Sequence, residues 1–460
     1  MADKPEKIEL YFYNVYFGDC FLLIFKYAGN IQKSVLIDFG TMGKGKDAEK
    51  TENNKDTQGE RLLKVAEDIK VKCGGKLDVV VATHRHKDHI YGFGLKESGK
   101  IIMDCKPELV IQPWTENPED NRDFTKKTLV THNEFKADAV KHFTSMLDDM
   151  HLVAESIETE INHLGNENKF TKTINKKLKD RIIFAAEDNK IKNQAAVENL
   201  EKMSDNPHYV HFGYDKIDWE TILPGVKVHI LGPPTIDDNP EMTSASHSSE
   251  EMWKLRAMNK NFWGVQAATS RLTKSHIDDE TLLFPKEKVL DDSYIPSNVR
   301  WFIRQLRSLR ANQLLEIVKF VDNAINNTSV ILLIETGDQK LLFPGDAEIE
   351  NWKVVLGKAK NNEQLRSLLT DTTVYKVGHH GSRNANPKSL WENFKNKSTD
   401  NKKSGRLKTI VSTMKGKYGE SEETAVPLPK MVKEMKEKSD FFSTEEISKG
   451  FIKMVEIDIN

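Results

Sequence analysis

Three short stretches of this sequence carry side chains that bind divalent cations. The first is Thr83-His84-Arg85-His86-Lys87-Asp88-His89, which closes the apolar run beginning at Leu77. Three imidazoles and a carboxylate at a strand-to-loop junction can aim at one centre while the strand holds the loop rigid. His and Asp together suit zinc, manganese or iron. A lone histidine there would read as a solvated turn, whereas His-x-His-x-Asp-His after a buried strand is a specific signal. The second stretch is Phe343-Pro344-Gly345-Asp346-Ala347-Glu348. Asp346 could bridge two metals, or it could cap the helix that Ala-Glu-Ile-Glu begins. The third is Tyr375-Lys376-Val377-Gly378-His379-His380-Gly381-Ser382, a histidine pair at a strand end. Gly381 there permits close backbone approach.

The elements that must position these stretches can be read by periodicity. Ile8 to Val15 and Phe21 to Phe25 predict two strands around a Phe17-Gly18-Asp19 turn, and Ser34 to Asp38 predicts a third. Leu62, Leu63, Val65, Ala66 and Ile69 predict a helix ended by Gly74-Gly75, followed by the buried strand Leu77 to Thr83. Beyond about residue 91 the pattern becomes helical and charged, with a long amphipathic helix over 135–164. A strand returns at Val226 to Leu231 before Gly232-Pro233-Pro234. A second polar helical region covers about 238–328. The strands 329–335 and 339–343 flank a Gly337-Asp338 hairpin signal. A helix over 347–358, strands 372–377 and 408–412, a helix near 428–438 and a strand over 450–458 follow. The expected organisation is an α/β scaffold over about 1–91, 226–237 and 328–460. Two mostly helical insertions, 92–225 and 238–327, interrupt it; these could instead form a separate domain.

Composition narrows the class. Apolar residues make up 38% and charged residues 30%, which excludes a membrane-spanning or collagenous chain. With 68 basic and 70 acidic residues the net charge is −2, so any basic footprint for nucleic acid must be local. Three scattered cysteines, Cys20, Cys73 and Cys105, make no disulfide framework and read as reduced thiols in a cytoplasmic protein. No apolar run of membrane-spanning length and no signal peptide core is present.

These motifs together resemble the metallo-β-lactamase fold superfamily, and within it the hydrolase domain of ComEC-type competence proteins and related bacterial metallohydrolases. The likeness covers about 8–91, 226–235 and 328–458. Phe17-Gly18-Asp19-Cys20 and Leu36-Ile37-Asp38-Phe39-Gly40 match its early strand-turn-strand. His84, His86, Asp88 and His89 match its histidine motif, Gly345-Asp346 its Gly-Asp motif, and His379 to Ser382 its His-His-Gly-Ser motif. The resemblance implies an αββα sandwich with a dinuclear site for zinc or manganese. His84, His86 and Asp346 would hold one ion. Asp88, His89, Asp346 and one of His379 and His380 would hold the second, with Asp38 supporting the histidine loop. The other histidine of the pair would face the substrate, Asp88 would also handle a proton, and Ser382 would donate to a phosphate oxygen. Lys415 and Lys417 lie near the late Tyr418-Gly419 segment as candidate substrate contacts, although Glu420 stands where many relatives carry a histidine. The superfamily's middle histidine ligand has no clear match; His132, His208, His211, His229 and His247 are candidates by order.

The expected activity is hydrolysis through a metal-activated water, with a phosphodiester in nucleic acid or a nucleotide as substrate. A small ester or amide is the alternative within the same fold. The basic stretch 169–181, together with Lys254, Arg256, Lys260, Phe262 and Trp263, could track a nucleic-acid backbone or form solvated helix faces. Arg300, Arg304, Arg307 and Arg310 share a helical spacing. The insertions could also bind a protein partner that regulates the site.

Overall fold

The computed structural model describes residues 4–44, 55–118, 193–235, 238, 325–414, 425–447 and 449–459. These fall in one compact unit spanning 1–144, 191–239 and 323–460. The first sheet runs through β1 (Lys7–Tyr13), β2 (Cys20–Lys26), β3 (Gln32–Phe39), β4 (Val79–Val81), β5 (Leu109–Pro113) and β6 (Pro207–Val210). The second contains β7 (Lys227–Gly232), β8 (Ile331–Thr336), β9 (Gln339–Phe343), β10 (Val374–Lys376), β11 (Lys408–Val411) and β12 (Asp440–Ser443). The last strand, β13 (Ile452–Asp458), returns to the first sheet and pairs antiparallel with β1, Lys7 opposite Asp458. The strand order is β13-β1-β2-β3-β4-β5-β6 in one sheet and β12-β11-β10-β9-β8-β7 in the other.

Alternation decides which face of each strand is buried. In β1, Ile8, Leu10 and Phe12 point inward while Lys7, Glu9 and Tyr11 stay partly exposed. They pack with Phe21 and Leu23 of β2 against Leu332 and Ile334 of β8, Leu341 and Phe343 of β9, and Val374 and Ile410 of the second sheet. Each such large apolar side chain contributes roughly 1.5–3 kcal/mol relative to exposure. The outer face of the first sheet is covered by α1 (Gln58–Lys72), α2 (Lys87–Gly94), α3 (Ser98–Asp104) and α4 (Gln194–Lys202). Helix α1 starts at a capping box between Thr57 and Glu60 and lays Leu62, Val65, Ala66 and Ile69 on Leu22, Ile24 and Leu36. After the single turn α5 (Trp219–Ile222), α6 (Ile349–Asn361), α7 (Glu363–Thr370), α8 (Lys388–Asn393) and α9 (Pro429–Lys438) cover the second sheet through Trp352, Val355, Leu365 and Leu369. The layers are therefore helix, sheet, sheet, helix. No helix among the described residues is long and apolar enough to cross a membrane.

Two differences from the sequence reading are informative. The span 92–225, expected as a mostly helical insertion, contributes β5 and β6 to the first sheet, and α4 to the layer over it. All five residues of β5 are buried, so it carries no alternation, and β6 begins with Pro207 and is half-exposed as an edge strand. Asp346 is not a helix cap, because α6 starts three residues later with Glu348 in the cap position. The Gly337-Asp338 hairpin forms as expected, with Thr336 opposite Gln339. The expected helix over 135–164, the basic stretch 169–181, the second insertion 238–327 except Asp238 and 325–327, and Lys415 and Lys417 lie outside the described residues.

Candidate metal centre

Strand ends assemble the site. β3, β4 and β5 are parallel, as are β9, β10, β11 and β12, and the candidate residues lie where these strands finish. Asp38 is the next-to-last residue of β3, His84 and His86 follow β4, Asp346 follows β9, and His379 and His380 follow β10. Crevices at carboxyl strand ends are the usual ligand positions of open α/β sheets. Asp88 and His89 lie in the first turn of α2. Two glycines let this turn come close. A methyl group on Gly40 would sit 2.4 Å from the backbone of Asp88 and of His89, and one on Gly18 would sit 2.8 Å from the Asp88 carbonyl.

Asp88, His89, Asp346 and His380 are all buried, and each offers a ligand atom within 4.8 Å of the others. His380 Nε2 lies 2.7 Å from Asp88 Oδ2 and 3.8 Å from Asp346 Oδ2; His89 Nε2 lies 3.2 Å from Asp346 Oδ2. Hydrogen bonds on the far side of each ring set its tautomer. Asp38 Oδ2 is 2.7 Å from His89 Nδ1, and the Ser412 carbonyl is 2.8 Å from His380 Nδ1. Both oxygens only accept, so each Nδ1 carries the hydrogen and each Nε2 is left for the centre. Asp38 also accepts from the Thr83 backbone N–H at 2.7 Å and the Thr83 hydroxyl at 2.8 Å. Having given its hydrogen to Asp38, Thr83 Oγ1 accepts from His84 Nδ1 at 3.2 Å. His84 Nε2 then faces His86 Nδ1 at 3.0 Å, and the His84 ring lies tilted against the His89 ring, with centroids 4.1 Å apart.

Charge in this pocket is unevenly settled. Burial would lower His89, but Asp346, Asp88 and Asp38 outweigh it and hold the imidazole protonated well above its ordinary range. Burial, aided by the neighbouring His89 and His86, pushes His84 well below its ordinary value. Burial would raise Asp346, yet His89, His379 and Lys376 hold its carboxyl well below the usual range. Asp38 is shifted the other way, raised by burial that His89 only partly offsets. Asp88 Oδ1 is buried with no hydrogen-bond partner. A buried carboxylate oxygen without a donor is costly, and the two-His, two-Asp donor set suits a divalent cation. The buried His/Asp cluster fits a metal ion.

The remaining candidates divide clearly. His84 and His86 are buried beside the four-residue group. Of the histidine pair, His380 is the buried member within the group. His379 is 20% exposed, with Nε2 3.8 Å from Asp346 Oδ2 and Nδ1 3.6 Å from Glu348 Oε1. Of the two, the buried His380 therefore joins the group, and His379 is the member left at its part-exposed edge. Ser382 is half-buried, its Oγ 3.5 Å from His379 Nδ1. His208 bonds Tyr214 and Asn206, His211 the Phe212 carbonyl, and His229 Glu335, so none of these three joins the group. His132 and His247 lie outside the described residues.

Sequence reasoning missed three contributors. Asp19, in the turn before β2, puts its carboxylate 3.6 Å from His380 Nδ1. Lys376, the last residue of β10, is buried against Asp19 and Asp346. Phe17 packs its ring 4.2 Å from His380. A lysine inside the apolar run Val374 to Val377 was the available signal for the second. No family model matches the chain, and no curated protein sequence is similar to it.

Proposed function

We propose that the protein is a metal-dependent hydrolase of metallo-β-lactamase-like architecture that cleaves a phosphodiester in a nucleic acid or nucleotide. The observation that carries this reading is the convergence of Asp88, His89, Asp346 and His380 from three separate chain regions into one buried group with two Nε2 atoms directed inward. The four-layer arrangement and the loops at carboxyl strand ends support the same reading. His84, His86 and Asp346 would hold one zinc or manganese ion, and Asp88, His89, Asp346 and His380 a second. Such ions supply Lewis acidity and activate water at neutral pH.

The chain's own residues do the positioning. Asp38 and the Ser412 carbonyl orient the two inward histidines. Asp88 Oδ1, without a donor, would accept a hydrogen bond from water and orient it. His379 is the histidine that reaches solvent, beside Ser382 and Glu348, and would carry a proton at Nε2 towards a leaving oxygen. Ser382 would donate to a phosphate oxygen. Three buried free cysteines support a reducing, cytoplasmic compartment.

Cleavage of labelled single- and double-stranded DNA and RNA and of a chromogenic phosphodiester, with Mn²⁺, Zn²⁺ or chelator, tests the proposal. Metal-dependent cutting lost in Asp88→Ala is the expected result. A folded, metal-loaded protein that leaves every phosphodiester intact overturns the substrate class.

A further inference from the structure

We propose that Lys376 is a positioning residue that serves as a built-in cation, closing the Asp19 side of the pocket to metal and confining metal to the histidine side. Two groups of buried donors meet at His89. One is Asp88, His89, Asp346 and His380; the other is Asp19, Asp38 and His89. By donor type and spacing alone, either could hold an ion. The second already contains a cation of the chain's own. Lys376 is 1% exposed, and its ammonium forms a short ion pair with Asp19 Oδ2.

The same ammonium orients Asp346. Nζ lies 3.4 Å from Asp346 Oδ1 and donates to the Gly345 carbonyl at 3.1 Å. Asp346 Oδ2 is the oxygen turned to His89, His379 and His380. One carboxylate oxygen thus faces the lysine and the other faces the histidines. The ammonium is thus enclosed by two carboxylates and a carbonyl, the surroundings that a buried cation needs. The carboxylates of Asp19, Asp38, Asp88 and Asp346 would otherwise share this space, and an unpaired buried charge is strongly unfavourable. Lys376 removes that imbalance on the Asp19 side without a metal. This inference rests on the metal reading above for the histidine side only.

The test compares metal bound per chain in wild type, Lys376→Met and Lys376→Met/Asp19→Asn by equilibrium dialysis against Mn²⁺ and elemental analysis, with folding followed by circular dichroism. Lys376→Met should bind one ion more than wild type, because Asp19 then needs a cation. The double variant should return to the wild-type number, because a neutral amide in place of the Asp19 carboxylate needs none. A folded Lys376→Met with the wild-type number overturns the proposal, as does a double variant that binds fewer ions or fails to fold. Should Lys376→Met alone not fold, a folded double variant with the wild-type number still supports the counter-cation role. A wild type without metal would instead sink the hydrolase reading, while the gain of an ion in Lys376→Met is read separately.

Discussion

Asp38 holds His89 from behind: its Oδ2 lies 2.7 Å from His89 Nδ1, and both side chains are fully buried. Asp38 adopts φ 57°, a left-handed conformation that Asp and Asn tolerate better than other side chains with a Cβ. That backbone twist ends β3 and turns the carboxylate under the histidine loop. A contact between residues so far apart in sequence is what makes His89 a preoriented donor.

Asp38→Asn tests this relationship with little backbone cost, since asparagine also accepts a positive φ. It should fold and yet bind metal about 10–100-fold more weakly, the usual effect of losing a ligand's supporting carboxylate. A competition titration with a chelating dye reads the affinity. Unchanged affinity would remove Asp38 from its supporting role.

Gly40→Ala tests the close approach of β3's end to α2. The added methyl group would meet the Asp88 and His89 backbone at 2.4 Å. Overpacking of this kind costs about 1–3 kcal/mol. Denaturant unfolding should show that loss together with weakened metal binding, because the displaced turn carries two of the proposed ligands, Asp88 and His89.

Metal uptake should depend on pH with a definite sign. In the metal-free protein His89 keeps its proton well above the ordinary 6.5, held by Asp346, Asp88 and Asp38. A metal ion must displace that proton from the ring, so affinity should rise as pH rises. In the metal-free protein the same raised value stabilises the fold below the unfolded value, and this contribution is lost as pH climbs through the folded one. Calorimetry in buffers of different ionisation enthalpy should detect proton release on binding; uptake without release would contradict the account.

Arg85→Ala probes how the motif loop is held from outside. Its guanidinium grips buried Glu116 at 2.6 Å and 2.8 Å, and the Arg85 carbonyl accepts from Asn193. Removing one partner of a buried pair costs up to about 3–5 kcal/mol, and the partial exposure of Arg85 reduces this. A lower melting temperature that Glu116→Gln partly restores in the double variant is expected. Additive effects of the two changes would show that the pair is not coupled.

Much of this arrangement was legible in the sequence, for particular reasons. His84 to His89, Asp346 and the His379-His380 pair each follow a short apolar run, so local periodicity both found them and placed them at strand ends. β5 escaped because its apolar run, Leu109 to Ile111, is short and ends at Gln112-Pro113, and β6 because a proline and partial exposure disguise it. Asp19 looked like ordinary turn chemistry. Its partner Lys376 sits far along the chain, and only the pairing of β10 beside β9, with both sheets closing on one end, brings the two together. The choice between His379 and His380 depended on which ring turned inward, which spacing does not encode.

The central claim is that Asp88, His89, Asp346 and His380 together hold a divalent cation. Metal content per chain in wild type and in Asp88→Ala, with folding checked by circular dichroism, tests it most directly. The account predicts a metal-loaded wild type and a folded variant that has lost at least one ion. A wild type that binds none, or a variant that keeps its full complement, would contradict it.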